Sequence, residues 1–318
     1  MYPLYKDFIY KINYWVRKFI KDPNNIMIFF LGRFASVRLI MAYRDRIYET
    51  KEANSLPSFF PDLDIVSAVN SLKKDGIFVG LALPKNILQE ILYYTESNDC
   101  YAGGDPRLGF RISDKRKVDQ IYGQPFYIAD YFNASEQCPA ISKLANDSKL
   151  QEVANLYVGK RAKYTGCSLA WVFPVEGLSY DAHRQQSCNF HYDIDDYASM
   201  RVFFYLTELT TEGGPHVFVY GSHHRKSLFH VLNFWSRKLT DEAVLRFYGA
   251  EKVFPIYGPA GFGFIEDTCG FHKGTVPKLQ LRLMLMLHYA NNNYNNGKYN
   301  DYSDPRLLKS FNQSEQAA

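Results

Sequence analysis

The sequence predicts an α+β protein with a mainly β core that closes into a sandwich or barrel. From Gly166 onward, short β-rich runs alternate with Gly, Pro and Asn, a pattern typical of many short strands joined by turns. The segments before Gly166 carry apolar residues largely at helical spacing. The 318 residues are 47% hydrophobic and 16% aromatic, which is enough for one elaborated β domain with helical additions.

Charge and cysteine content narrow the class of protein. The chain has 37 Lys and Arg against 33 Asp and Glu, a net charge of +4 that is too small to indicate a nucleic-acid partner. No disulfide framework emerges from the odd set of five irregularly spaced cysteines, so we expect a cytoplasmic location. The N-terminus lacks the features of a signal peptide, and the apolar run 26–31 is too short to cross a bilayer.

Residues 1–60 are predicted to form an N-terminal helical extension. Apolar residues recur at helical spacing over 4–21, where Asp22 and Pro23 end the pattern, and again over about 26–48. The first helix has five cations and one aspartate. We expect its charged face to be solvated while its apolar side packs on the core or on a second subunit. Peripheral contact with an anionic membrane is the alternative.

The main domain is predicted over 61–290, with a polar C-terminal tail over 291–318. Its first part contains, in order, a helix, a strand, a second helix and a loop or lid at 63–74, 77–81, 84–94 and 101–123. The strands of the core are predicted at 168–174, 189–193, 200–207, 216–220, 261–265 and 279–288, with a helical insert at 227–248. The tail begins with six Asn within 291–300, which is typical of a mobile segment.

His191 and Asp193 are the first candidate metal ligands. Residues two apart in a strand project from the same face, with Cα atoms about 6.5 to 7 Å apart, so both side chains can reach one ion. A second histidine would complete the two-His-one-carboxylate triad that is diagnostic of non-haem iron(II) oxygenases. His272 is our candidate, with His223 and His224 as its strongest competitors.

Arg282 is the candidate cosubstrate residue. It lies in a predicted apolar strand, on the same face as Met284 and Met286. A guanidinium in such a strand needs a carboxylate partner, because an unpaired buried charge is very unfavourable. That partner is either a group of the protein or the distal carboxylate of bound 2-oxoglutarate.

Several segments of the chain together resemble the phytanoyl-CoA dioxygenase-like branch of the iron(II)/2-oxoglutarate oxygenases. The resemblance covers about residues 65–290. It is carried by the segments Leu72-Lys-Lys-Asp-Gly-Ile-Phe-Val79, Phe190-His-Tyr-Asp193, Val202-Phe-Phe-Tyr-Leu-Thr-Glu208, Gly213-Gly-Pro-His-Val-Phe-Val-Tyr-Gly-Ser-His223 and Gly263-Phe-Ile-Glu-Asp-Thr-Cys-Gly-Phe-His-Lys-Gly274, and by Arg282. Their order along the chain makes a chance match improbable.

The resemblance implies a double-stranded β-helix, the jelly roll of cupin-like proteins, with flanking helices. It also implies that His191, Asp193 and His272 bind Fe(II) and that Arg282 holds 2-oxoglutarate. The expected reaction consumes O2, releases succinate and CO2, and hydroxylates a C–H bond of a small-molecule substrate. The retained Asp193 favours hydroxylation over halogenation, because related halogenases replace this carboxylate with a small residue.

Four further residues are candidate ligand contacts. Thr275 is predicted to hydrogen-bond the cosubstrate carboxylate beside Arg282. Trp171 is expected either to line the pocket or to pack in the core. Arg107 and Arg111, in the predicted lid, suggest an anionic group on the substrate. The substrate itself is left open by the motifs.

Two rival interpretations are considered. Cys188 and Cys269 each stand three residues before a ligand histidine, which suggests a structural zinc site. Residues three apart in a strand face opposite sides, so neither cysteine could join its histidine without a sharp turn. The other rival is a cupin-like metal-binding module without oxygenase activity, against which the complete ligand set argues.

Overall fold

The computed structural model describes residues 23–46, 57–123, 126–159, 162–175, 188–233, 236–292 and 303–311. The described strands are β1 (Ile77–Ala82), β2 (Cys100–Ala102), β3 (Gly109–Phe110), β4 (Ile128–Asp130), β5 (Lys163–Val172), β6 (Phe190–His191), β7 (Ser199–Tyr205), β8 (His216–Val219), β9 (Lys238–Leu239), β10 (Val253–Ile256), β11 (Phe262–Glu266), β12 (His272–Gly274) and β13 (Arg282–Ala290). The described α-helices are α1 (Pro23–Leu31), α2 (Ala35–Arg46), α3 (Ile65–Asp75), α4 (Lys85–Ser97), α5 (Lys115–Tyr122), α6 (Ala134–Gln137), α7 (Pro139–Ala145), α8 (Ser148–Tyr157), α9 (Leu228–Leu232) and α10 (Asp241–Tyr248).

The strands form two antiparallel sheets that face each other. The larger sheet has the order β1-β11-β7-β13-β5-β4-β2-β3, and the smaller has the order β10-β8-β12-β6-β9. Strands β5, β7, β11 and β13 lie together in the larger sheet, while β6, β8, β10 and β12 lie together in the smaller. The chain therefore crosses repeatedly between the sheets, which is the winding of a jelly roll. The predicted fold class, a jelly roll with flanking helices, is confirmed.

Side-chain alternation separates an interior from an outer face on each sheet. On β7, Val202 and Phe204 pack against the helices that cover the larger sheet, whereas Phe203 and Tyr205 point between the sheets. The outer face of the smaller sheet is covered by α1 and α10 through Ile28 and other apolar residues. Arg201 lies two residues before Phe203, so it shares the interior face.

The first helix of the main domain is set by its ends. The Asp64 carboxylate accepts hydrogen bonds from the backbone N–H groups of Val66 and Ser67, and Gly76 ends the helix at a φ of 83°. A Cβ on Gly76 would come within 2.7 Å of the His223 ring, so the turn and the close approach both require glycine. The helix runs close to its predicted position.

Two element predictions are wrong. The helix expected over 26–48 is divided into α1 and α2 by a turn at 32–34. The segment 101–123, predicted as a loop or lid, contains the β2–β3 hairpin and α5. Two of its apolar residues, Phe110 and Val118, are buried in the core, and Phe110 pairs with Cys100 across the hairpin. The Gly and Arg residues between them concealed this pattern.

The described parts of the two chain ends contact the jelly roll. Arg33 donates to the carbonyl oxygen of Asn233 at 3.0 Å, and Lys309 O accepts from the backbone N–H of Gly109 at 2.9 Å. The helix predicted over 4–21 and most of the Asn-rich stretch lie outside the described residues. No helix of the described residues is long and apolar enough to span a bilayer.

Candidate metal centre

His191, Asp193 and His272 meet between the sheets. Each offers a ligand atom, and these atoms all lie within 4.8 Å of one another. His272 on β12 stands directly opposite His191 on β6, with ring centroids 4.4 Å apart. His272 Nε2 lies 3.9 Å from Asp193 Oδ2. Among the described residues, this is the one group of His, Cys, Asp and Glu side chains with the spacing of a metal site.

Asp193 shares the face of His191, as predicted, although the regular strand ends before it. The predicted strand 189–193 is only two residues long, and Asp193 lies in the chain that follows it. Its backbone N–H donates to the carbonyl oxygen of Thr268 at 2.8 Å. Side-chain alternation nevertheless continues past the end of β6, because Phe190, Tyr192 and Ile194 all lie in the cluster on the outer face. The contact with the loop before His272 holds the Asp193 backbone in this position.

Both histidines are oriented by backbone carbonyl groups. His191 Nδ1 lies 2.9 Å from Asn189 O, and His272 Nδ1 lies 3.0 Å from Gly270 O. An Nδ1–H donor to each carbonyl leaves the Nε2 lone pair free to bind a cation. The pKa of His191 is lowered to about 3, mainly by burial and to a smaller extent by the neighbouring His272. Burial also lowers the pKa of His272. Both rings are thus neutral near pH 7, the form that binds metal.

A buried cation stands beside the candidate carboxylate ligand. Arg201 Nη2 donates to Asp193 Oδ2 at 2.9 Å and to Asp195 Oδ2 at 2.5 Å. On the adjacent strand, Glu266 Oε2 lies 2.8 Å from His216 Nε2, within hydrogen-bond distance. All of these side chains are buried, and among the described residues Arg201 is the one arginine that the three carboxylates of this wall share.

Arg282 is a buried cation of a different kind. It is 4% exposed, and its Nε and Nη1 atoms have no hydrogen-bond partner among the described residues. It lies on the interior face of β13, which it shares with Met286, a member of the interior cluster. Gly274 leaves space in front of it, because a Cβ there would lie 3.6 Å from Nη2. A buried guanidinium with free donors is suited to bind a carboxylate.

Two predicted ligand contacts do not face this space. The Thr275 hydroxyl donates to Pro215 O at 2.7 Å, so its only proton is already used. Trp171 packs with Leu283 in the cluster beneath the helices, on the opposite face of the sheet from Arg282, and its Nε1–H donates to the Tyr131 hydroxyl at 3.0 Å. The prediction that Trp171 lines the pocket is corrected by this packing.

The arginines of the predicted lid lie at the far edge of the larger sheet. Strand β2 is three strands away from β13, or roughly 14 Å at the usual strand spacing. Arg107 is paired with Asp105 at 2.6 Å, and Arg111 is paired with Asp99 at 2.9 Å. The structure does not bring either arginine to the triad.

The competing ligands are also placed elsewhere. His223 packs beneath Gly76, and its Nε2 lies 3.3 Å from Lys73 O. Cys188 lies 3.6 Å from the Tyr127 hydroxyl, and Cys269 Sγ lies 3.6 Å from a lysine amine. Neither cysteine belongs to the metal-spaced group, so the described residues give no support to a Cys2His2 zinc site.

The sequence did contain a signal for one residue that was missed. Arg201 stands in the run Ser-Met-Arg-Val-Phe-Phe-Tyr, an apolar strand with a single charge, as Arg282 does. The same reasoning about buried charge applied to both positions. Glu266 and His216 carried no such signal, because each stands near a strand end, where polar residues are common.

Comparison with known proteins shows a likeness of fold at low identity. No protein-family model and no curated protein matches the chain. The non-heme, α-ketoglutarate-dependent epimerase SnoN from nogalamycin biosynthesis aligns with a TM-score of 0.47 and 11% identity over 71% of this chain and 82% of its own. HygX from Streptomyces hygroscopicus, solved with nickel, 2-oxoglutarate and hygromycin B, aligns with a TM-score of 0.47 and 15% identity over 70% of this chain and 86% of its own. The non-heme monooxygenase ThoJ, solved with nickel, aligns with a TM-score of 0.44 and 13% identity over 71% of this chain and 77% of its own.

Proposed function

We propose that the protein is an Fe(II)/2-oxoglutarate-dependent oxygenase that hydroxylates a C–H bond of a small molecule. The proposal rests on two features that both lie between the two sheets. One is the triad of His191, Asp193 and His272, and the other is the buried guanidinium of Arg282 with two unpartnered donors. We further propose that the catalytic domain spans 61–290.

The residues present fit both groups. Two neutral imidazoles and one carboxylate are the donor set of non-haem iron(II) sites that keep adjacent coordination positions open. The unpartnered Nε and Nη1 of Arg282 match the distal carboxylate of a dicarboxylate cosubstrate. When bound, iron(II) and 2-oxoglutarate would activate O2, which is the oxidant: one oxygen atom would go to the C–H bond and the other to succinate, with CO2 as the second coproduct.

The chain supplies positioning and charge for this chemistry. His191 and His272 each present Nε2 because a backbone carbonyl holds Nδ1. Arg201 donates to the Asp193 carboxylate and so holds it in orientation. Arg282 orients the cosubstrate from the side of Gly274, where no side chain obstructs it. The interior cluster between the sheets keeps water from the reacting groups.

A carboxylate at position 193 favours hydroxylation over halogenation, since it occupies the position that a halide would need. The rival proposal, a metal-binding module without oxygenase activity, gives no role to the unpartnered donors of Arg282. The proposed residues therefore favour a 2-oxoglutarate enzyme over a plain metal module.

The decisive experiment measures succinate formed from 2-oxoglutarate with Fe(II), ascorbate and O2. Wild type is expected to turn over 2-oxoglutarate slowly without substrate, while His191→Ala and Arg282→Ala lose the activity. His224→Ala is the matched control, because His224 is exposed and lies outside the triad. Retention of metal by wild type without any binding of 2-oxoglutarate would favour the metal module.

Association through the N-terminal helices also remains a proposal. On α1, Met27 and Phe30 are 51% and 44% exposed, and on the adjacent α9, Leu228 and Phe229 are 73% and 74% exposed. An apolar surface of this kind favours contact with a second subunit or a membrane. Light scattering and sedimentation with anionic vesicles distinguish these outcomes from a monomer in solution. A cytoplasmic location is likewise still a prediction.

A further inference from the structure

The two loops that carry metal ligands touch each other behind the candidate metal centre. One loop, 267–271, leads into His272, and the other, 193–198, begins at Asp193. The Asp193 backbone N–H donates to the carbonyl oxygen of Thr268 at 2.8 Å. The position of one ligand therefore depends on the loop of the other.

Asp267 organises the loop before His272. Its carboxylate accepts from the backbone N–H of Cys269 at 2.9 Å, and its carbonyl accepts from the backbone N–H of Gly270 at 2.8 Å. The Gly270 carbonyl is in turn the group that orients the His272 ring. The Asp267 backbone N–H donates to Gly76 O at 2.8 Å, which ties the loop to the end of α3. The orientation of the His272 ring thus depends on Asp267, which fixes the position of Gly270.

Arg38 on α2 joins this loop to the loop that follows Asp193. Its Nη2 donates to the Asp267 carboxylate, and its Nε donates to the carbonyl oxygen of Tyr197 at 3.0 Å. A third donor, Nη1, reaches His223 O at 3.2 Å. One guanidinium from outside the jelly roll therefore spans both ligand loops.

The contact between Arg38 and Asp267 is a buried ion pair. The two residues are 7% and 0% exposed, and the Tyr157 hydroxyl also donates to the Asp267 carboxylate at 2.6 Å. Burial alone would raise the pKa of Asp267, but Arg38 holds it below its usual value. Removing one member of a buried pair leaves an uncompensated charge, which strongly destabilises the local structure. Without Arg38, we expect the loop 267–271 to rearrange so that the Asp267 carboxylate is hydrated.

We infer that Arg38 is a positioning residue of the metal centre, holding the loops of Asp193 and His272 at the separation at which both bind one ion. The inference rests on the proposed metal site. It makes a helix of the N-terminal extension a part of that site, although this helix contributes no ligand.

The test compares Arg38→Met with a matched control, Arg33→Met, in the full chain. Arg33 lies in the same extension, is 2% exposed, and donates to Val231 O and Asn233 O, two acceptors that belong to neither ligand loop. Ni(II) affinity is measured by calorimetry at a temperature where every variant is folded. Amide hydrogen exchange of peptides covering 190–198 and 267–272 is measured without metal.

We expect Arg38→Met to weaken Ni(II) binding by about 10- to 100-fold, the usual effect of losing a group that orients a ligand. Exchange should accelerate in both peptides. Arg33→Met should lose stability but change the Ni(II) affinity and the exchange of these peptides much less than Arg38→Met does, because its hydrogen bonds go to neither ligand loop. Arg38→Lys should recover part of the affinity.

Wild-type Ni(II) affinity and unchanged exchange in Arg38→Met would overturn the inference, as would equal losses in Arg33→Met. If Arg38→Met does not fold, the double variant Arg38→Met/Asp267→Asn removes the buried charge as well, and the same comparison applies. Failure of wild type to bind Ni(II) would instead contradict the proposed metal site. The exchange measurement would then still show whether Arg38 holds the two loops.

Discussion

Replacing Arg282 with methionine is expected to change stability and cosubstrate binding in opposite directions. In the free protein, Nε and Nη1 of this guanidinium are buried without hydrogen-bond partners among the described residues. Each unsatisfied buried donor is unfavourable by about 1–3 kcal/mol. Methionine has a similar length and matches the apolar side chains on the same face of β13. Two such donors give about 2–6 kcal/mol, and replacing a buried charged group by an apolar one usually gains about 1–4 kcal/mol. We therefore expect Arg282→Met to stabilise the free protein by about 2–4 kcal/mol.

Binding of 2-oxoglutarate should weaken in the same variant. Loss of one partner from a buried, hydrogen-bonded charge pair removes about 2–5 kcal/mol of binding free energy. At 1.4 kcal/mol for each factor of ten, Kd should rise by roughly 30- to 5000-fold. Urea denaturation gives the stability of the free protein. Calorimetry with Ni(II) in place of Fe(II) gives Kd without turnover.

Arg33→Met is the control for the sign of the stability change. Arg33 donates to Phe29 O at 2.8 Å and to Asn233 O at 3.0 Å, so its replacement should destabilise the protein. A loss of stability in Arg282→Met would mean that its guanidinium has a structural partner. An unchanged Kd for 2-oxoglutarate would refute its role in cosubstrate binding.

Three further predictions test local features of the structure. Burial raises the pKa of Asp130 from 3.8 to about 6, so the folded state holds this proton more tightly and stability falls as pH rises from about 4 through 6. Asp130→Asn should remove that fall and add at most about 3 kcal/mol above pH ~7, with no gain below pH ~4, as measured by urea midpoints across pH. Gly274→Val should fill the space in front of Arg282, because a Cβ at this position would lie 3.6 Å from Nη2. Binding of 2-oxoglutarate should weaken at least about 10-fold. A wild-type Kd in a folded variant would show that the cosubstrate binds elsewhere. Gly76→Ala should lower the free energy of unfolding by about 1–3 kcal/mol or more, because φ is +83° and the new Cβ would meet a buried histidine ring at 2.7 Å. Gly80→Ala, with φ +118° and open space around its Cβ, should lose less, and equal losses would contradict the steric part of the explanation.

The position of Asp193 shows where pattern and structure separate. Regular alternation in a strand placed Asp193 beside His191, and the structure does bring the two together. The strand ends at His191, however. The alternation of faces continues to Ile194, and beyond the strand it is a hydrogen bond from the Asp193 backbone N–H to Thr268 O that holds the chain. That contact joins residues far apart in the sequence, so no local pattern could predict it.

Trp171 and Thr275 illustrate a second limit. Thr275 stands three residues after His272, and Trp171 stands in a predicted core strand. Trp171 nevertheless packs under the helices, and Thr275 donates to a backbone carbonyl. Which face of a strand turns inward depends on the register of its neighbours. Here, the pairing of Trp171 with Leu283 turns the indole away from the interior.

Residue type and short periodic patterns were enough to predict a mainly β sandwich or barrel, the pair His191 and Asp193, and a buried Arg282. His272 was separated from His223 only by family order in the sequence, whereas the structure places His272 opposite His191 and His223 beneath Gly76. Only tertiary structure places Arg201 in the charged wall around the triad. The same holds for the hydrogen bonds by which Arg38 joins the two ligand loops. Each joins segments distant in the chain, and a buried charge shows its partner only when those segments pack together.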